Sequence, residues 1–203
     1  MQSDIELKPL NERFDHLVGV ISGERFLKMQ GLNNEVPFFI CPFKPEEAVE
    51  MERIVKQVSN QLSSKGVSAL EINLYDLTKE LLEEREIWDD VIASEPDVSK
   101  SEIKELLQGV LDPESHLVPA IAARASNQEH DVLFISGVGE VFPFLRSHNI
   151  LNNLQSSAKD RPTVMFFPGS YSYSDEEGAS LDLFSRLHDD KYYRAFNIYR
   201  YET

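Results

Sequence analysis

Three stretches of the 203-residue chain combine residue types that chemistry uses. The first is Cys41-Pro-Phe-Lys-Pro-Glu-Glu47, a turn between an apolar run and an amphipathic one. In α/β folds such a junction is the usual phosphate site, because free amides at a helix start attract anions. A working phosphate loop needs G-x-x-x-x-G-K-[ST], whose glycines let the backbone wrap the phosphates. This turn has two prolines, no glycine and two carboxylates. ATP hydrolysis by the standard machinery is therefore not expected, and Lys44 reads as a solvated loop lysine or the remnant of a phosphate contact.

The second stretch begins at Gly137-Val-Gly139, after an apolar run. It invites comparison with the dinucleotide fingerprint, but Phe142 stands where the third glycine belongs, and a ring there obstructs close helix packing. The glycines then serve a tight turn that leaves Glu140 at the carboxyl edge of a sheet, where phosphate-loop ATPases keep an acid that polarises water or metal. Arg146, Ser147, His148 and Asn149 follow, with Arg146 and Asn149 one helical turn apart and able to share a polar face. His148 has no nucleophile in sequence reach. The third stretch, His188-Asp189-Asp190, has metal-ligand residue types but reads more simply as a solvated loop. Trp88 lies in the charged run Glu83 to Asp90 and is either an exposed binding anchor or part of a satellite core. Trp88, Glu140, Arg146, His148 and Asn149 are the candidate partner-binding residues; no catalytic, cofactor-binding or metal-binding residue is assigned.

The elements that must position these residues follow from hydrophobic period. Phe14, Leu17, Val18 and Ile21 recur at helical spacing and predict an opening helix between Asn11 and Lys28. Val36 to Cys41 reads as a first strand, ended by Pro42 and Pro45, with Pro37 at its first position or edge. Pro45 starts a helix whose stripe is Ala48, Met51, Val55, Val58 and Leu62 and whose stop is Gly66. Val67 to Leu74 alternates like a second strand and completes a βαβ unit. Residues 76–128 read as an acidic helical insertion with a capping box at Ser99 and Glu102, followed by Ile103, Leu106, Leu107, Val110 and Leu111 on one face. Asp131 to Ser136 is the clearest buried strand. Pro143 is expected to start a helix carrying Phe144, Leu145, Leu151 and Leu154. A fourth strand, Thr163 to Phe167, ends at Pro168-Gly169; then come a loop from Ser170 to Gly178, a short helix around Leu181 to Leu187, and a last strand from Tyr193 to Tyr201. The sum is one α/β domain over residues 1–203, with an N-terminal helical segment (1–30), built on an open, mostly parallel sheet with helices on both faces.

Composition narrows the function. Lys and Arg total 20 against 35 Asp and Glu, a formal charge of −15 that repels phosphate backbones and disfavours direct duplex binding by the chain. The lone cysteine, Cys41, can form neither an internal disulfide nor a thiolate metal cage. Met1 to Leu10 lacks the basic start and apolar run of a secretory signal. No stretch approaches the roughly 18 apolar residues of a membrane span. A cytoplasmic protein without a cofactor is expected.

The run Phe134-Ile-Ser-Gly-Val-Gly-Glu-Val-Phe-Pro-Phe-Leu-Arg-Ser-His-Asn-Ile-Leu-Asn-Asn-Leu154, with Val164-Met-Phe-Phe-Pro-Gly169, Ser180-Leu-Asp-Leu-Phe-Ser-Arg-Leu187 and Tyr192-Tyr-Arg-Ala-Phe196, resembles the BrxB family of BREX phage-exclusion clusters. The specific motifs lie in the second half of the chain, and the first half agrees in pattern. The resemblance implies a role in BREX defence beside the methyltransferase PglX, the phosphatase-like PglZ and the ATPase BrxC. It further implies a non-catalytic component that contacts PglZ and bridges it to the others, and supplies no catalytic residue to carry over. The order of elements is also similar to a P-loop (RecA/AAA-like) NTPase core without a functional Walker A loop. The alternatives are a metal- or nucleotide-dependent enzyme or sensor using Glu140, His148 or Asp189 and Asp190, and a subunit that touches DNA only within a complex.

Overall fold

Strands that are apolar along almost their whole length have no face to show to water and must be covered on both sides. In the computed structural model, which describes residues 4–30, 37–158, 160–174, 178–190 and 195–201, two strands meet that condition. β1 (Phe38–Phe43) and β3 (Val132–Ser136) are buried throughout. With β2 (Ala69–Asn73), β4 (Thr163–Ser174) and β7 (Phe196–Asn197) they form a parallel sheet in the order β2-β3-β4-β1-β7.

Successive side chains along a strand point to opposite faces, and the core divides accordingly. Phe38, Ile40, Leu70, Ile72, Leu133, Ile135, Met165 and Phe167 pack on one face. They lie under α4 (Leu74–Glu84), α6 (Lys100–Val110), α7 (Val118–Asn127) and α8 (Ser147–Ser157). Phe39, Cys41, Val132, Phe134, Val164 and Phe166 pack on the other, under α1 (Leu10–Ile21), α2 (Glu24–Leu27) and α3 (Ala48–Ser64). Each fully buried side chain of this size contributes about 1.5–3 kcal/mol. The open parallel sheet with helices on both faces is as the sequence predicts.

Several boundaries differ from expectation, each for a physical reason. β1 continues through Pro42 to Phe43; β7 pairs only with Phe39 and Ile40, so one side of the strand needs no donor at Pro42. β2 is parallel to β1 in the same sheet, but β3 and β4 lie between them, so the two are not neighbours. α3 ends at a Schellman turn: Val67 donates to the Leu62 carbonyl and Gly66 to that of Ser63, with Gly66 at φ +79°. Leu74 belongs to α4, because the Asn73 side chain accepts from the amides of Tyr75 and Asp76 and starts the helix there. The capping box at Ser99 and Glu102 forms, and α6 buries Leu107, but Leu106 is 48% exposed. α5 (Trp88–Ser94) joins α4 to α6.

The second half carries the larger corrections. No helix starts at Pro143: residues 138–144 are turns held by buried Val138 and Val141, and α8 begins at Ser147. Pro168-Gly169 does not end β4, which runs on to Ser174 as one strand of an antiparallel ribbon with β5 (Gly178–Leu183) and β6 (Leu187–Asp190). The helix expected at Leu181 to Leu187 is therefore strand and turn. The missed signal is the period-2 alternation of Ser170, Tyr171, Ser172, Tyr173 and Ser174; Tyr171, Leu181 and Leu183 all join the core. The last strand is only Phe196–Asn197, followed by a 3-10 turn, Ile198–Arg200; Tyr193 lies outside the described residues. No helix among the described residues is long and apolar enough to cross a membrane.

Candidate functional site

At the carboxyl edge of the parallel strands, the β1–α3 junction, the β2–α4 junction and the turn after β3 come together. The first junction is the bend in which an α/β fold would hold phosphate. Here a carboxylate of the chain itself occupies that role: the Lys44 amide donates to Glu47 Oε2 at 3.1 Å, and the Glu47 amide donates to the Lys44 carbonyl at 2.8 Å. Arg13, from α1, closes the arrangement with Nη2 at 2.6 Å from Glu47 Oε1.

Arg13 is only 2% exposed. It also bonds the Tyr199 hydroxyl, which in turn lies 3.2 Å from Cys41 Sγ. Burial acts to raise the Glu47 carboxyl, but the Arg13 bond and the Lys44 amide outweigh it and hold the group below the usual carboxylate range. Burial likewise acts against the charged Arg13, and Glu47 more than restores it, leaving the guanidinium raised. Burial pushes the Cys41 thiol up to about 12, so it is a packed sulfur and not a nucleophile. Sequence reading missed Arg13, although a signal was present: Arg13, Leu17, Val20 and Ile21 fall on one helical face, and a charge on a buried stripe needs a buried partner.

The second junction and the turn interlock. Gly137 has φ +72°, and a Cβ there would lie 2.4 Å from Asn73 Oδ1, the atom that caps α4. Only glycine lets the two loops approach so closely. Beside them Ser136 donates to Glu71 Oε1 at 2.8 Å. A cavity of about 230 Å³ lies under this turn, with Met51, Val55, Phe166 and Phe184 as its apolar lining and Glu52 and Glu140 at its polar side. Glu140 sits at the sheet edge as expected. Partial burial raises its carboxyl, and the nearby charges of Glu52 and Asp76 raise it further. Glu52 and Glu140 on the cavity, with Asp76 near Glu140, make a negative edge that repels a triphosphate. Among the described residues no group of three His, Cys, Asp or Glu side chains is arranged to hold a metal.

The other sequence candidates are dispersed. Trp88 is half-buried against the α4–α8 core, with Lys79 Nζ 5.9 Å from its ring centre, the satellite-core placement. Arg146 and Asn149 are both exposed at the start of α8, and Arg146 borders a second cavity, of about 210 Å³, with Arg186 and Leu187. His148 is 2% exposed, facing the core between them. Glu140 and Arg146 thus share one edge of the domain, while Trp88 lies on the helical block. Asp189 and Asp190 are in β6 and not in a loop.

A family model described as "BREX protein BrxB" matches residues 70–198. A BREX protein BrxB of Bacillus cereus (strain H3081.97) is 35% identical over 196 residues, covering 95% of this chain and 98% of that protein. A BREX protein BrxB of Escherichia coli O9:H4 (strain HS) is 26% identical over 189 residues, covering 93% and 91%. No solved structure matches the chain.

Proposed function

The chain belongs to the BrxB family of BREX proteins, and from that premise we propose that it is a non-catalytic component of an anti-phage complex, holding protein partners together. The relatives are named as BREX proteins, which supports reading the chain as one component of a BREX system with other BREX proteins as its partners. PglZ is the partner we favour, with BrxC and PglX as further members of the assembly.

The observation that carries this reading is the occupied bend after β1. Glu47 fills the anion position and Arg13 neutralises it from within, so a nucleotide would have to displace an ion pair whose cation is buried to enter. This agrees with descent from a nucleotide-binding core whose phosphate loop has been replaced. The acidic block from α4 to α7 also leaves Tyr75, Ile92, Val98 and Leu106 more than a third exposed, apolar area of the kind that partner surfaces use.

The test is to recover tagged protein from cells carrying the whole cluster. PglZ is expected to co-purify, and replacing Ile92 and Leu106 together by Glu, or Arg146 by Glu, should weaken one partner selectively. The isolated chain is expected to turn over no nucleotide, and magnesium with ATP should leave its Tm unchanged. Magnesium-dependent ATP hydrolysis by the pure chain would overturn the proposal.

A further inference from the structure

β2 has β3 on one side and no described strand on the other. The Ser68 carbonyl accepts from Asp131 and Val132 at 2.8 and 3.2 Å. In a parallel ladder the backbone groups alternate in direction. Those of Leu70 and Ile72 therefore face β3, and those of Ala69, Glu71 and Asn73 face outward. Native edges are blunted by proline, lysine, bulges or covering elements. Ala69-Leu-Glu-Ile-Asn73 has neither proline nor lysine, and its five residues pair in unbroken register with β3. What lies along its outer side is a groove of about 640 Å³ between α3 on one wall and α4 and α7 on the other.

The charge of this groove says what fits it. Glu52 and Lys56 come from α3, Asp76 and Glu80 from α4, Arg124 from α7, and Glu71 from the strand itself. Arg124 is bonded to Glu80. That leaves the carboxylates of Glu52, Glu71 and Asp76 facing the single cation of Lys56, in a chain of net charge −15. The outward backbone groups of a strand edge between these walls suit an extended chain, which can pair with them as a further strand.

We propose that the outer edge of β2, unpaired among the described residues, is the docking site for an extended segment of a partner protein bearing lysine or arginine at alternate positions, which joins the sheet as a further strand. Backbone bonds to Glu71 and Asn73 give the segment its register, and the groove acids select its charge. The proposal rests on the reading of the chain as a partner-holding BREX component and names the surface used.

Glu71→Pro removes an outward donor, and with it the carboxylate that accepts from Ser136, while sparing the backbone ladder to β3, whose donors on this strand are at Leu70 and Ile72. Glu71→Gln, which keeps the donor, is the control. The proline variant should keep its Tm within a few degrees and lose roughly tenfold or more in capture of the BREX partner. Glu52→Lys with Asp76→Lys should weaken capture and flatten its salt dependence. Hydrogen exchange at the Glu71 and Asn73 amides should slow in the wild-type complex. If Glu71→Pro does not fold, the charge pair and the exchange measurement decide. Undiminished capture by the folded variants, with exchange at 71 and 73 unchanged, overturns the edge and leaves the partner-holding function standing. Failure of the wild-type chain to capture any BREX protein overturns that function instead. The edge is then decided by titrating a peptide of alternating lysine and valine onto the isolated chain: shifts confined to β2 support it, and their absence sinks it.

Discussion

An Arg13→Ala substitution leaves Glu47 charged beside the first residues of α3, with its buried partner gone. Breaking a fully buried pair costs about 3–5 kcal/mol; with the Glu47 side chain 22% exposed the loss should fall below that range, readable as a lower urea midpoint at pH 7. The pH dependence carries a second signature. Glu47 is held below its ordinary value, so its share of stability is fully present above the unfolded carboxylate range, near about 4.3. That share disappears as the pH falls through the lower folded value. Urea melts between neutral and acid pH should show this loss in the wild type and lack it in Arg13→Ala. Glu140 has the opposite sign: its carboxyl is raised by burial and then by Glu52 and Asp76. Glu140→Gln should raise Tm slightly at pH 7, and the gain should close as the pH drops and the native carboxyl takes up its proton. At this scale sequence found half of the site. The carboxylates in the opening bend were visible in Pro45-Glu-Glu47, but their cation lies 34 residues away from Glu47 in the chain, counting 47 − 13, and only packing brings it there.

Among the elements, β1, β3 and the first part of β4 were legible because burial on both faces demands unbroken apolar runs. The amphipathic helices α3 and α6 were legible from stripe and cap. The ribbon was not, because Pro168-Gly169 has the composition of a stop and tertiary pairing overrides it. Gly169 is there for proximity: a Cβ at that position would meet the Asp182 carbonyl oxygen at 2.1 Å across the β4–β5 pair. Gly169→Ala should therefore push the strands apart and cost about 2–3 kcal/mol. Thermal melts measure the loss, and slower-exchanging amides of β5 should become fast. An unchanged melt would mean that the ribbon does not pack as described. The late start of α8 was equally hidden, since Pro143 is a good first helical residue by type, and only the burial of Val141 and Leu145 draws the preceding segment into turns.

For the whole molecule, the charge of −15 and the acids at the sheet edge make one expectation: the isolated chain should not bind duplex DNA in a gel-shift titration even at low salt. Salt-sensitive binding by the assembled complex would then belong to basic partners. The class of fold was legible from alternation of strands and helices, whereas the strand order was not, because sequence does not say that β3 and β4 come between β1 and β2.

β4 belongs to two sheets at once, with its first residues between β1 and β3 and its last ones paired to β5. Twelve residues of continuous strand make a rod about 40 Å long, anchored in the parallel sheet at one end and in the ribbon at the other. A pull along its axis would load the flanking ladders in shear, so many hydrogen bonds resist together rather than opening one by one. One unbroken backbone thus couples the antiparallel ribbon mechanically to the centre of the parallel sheet.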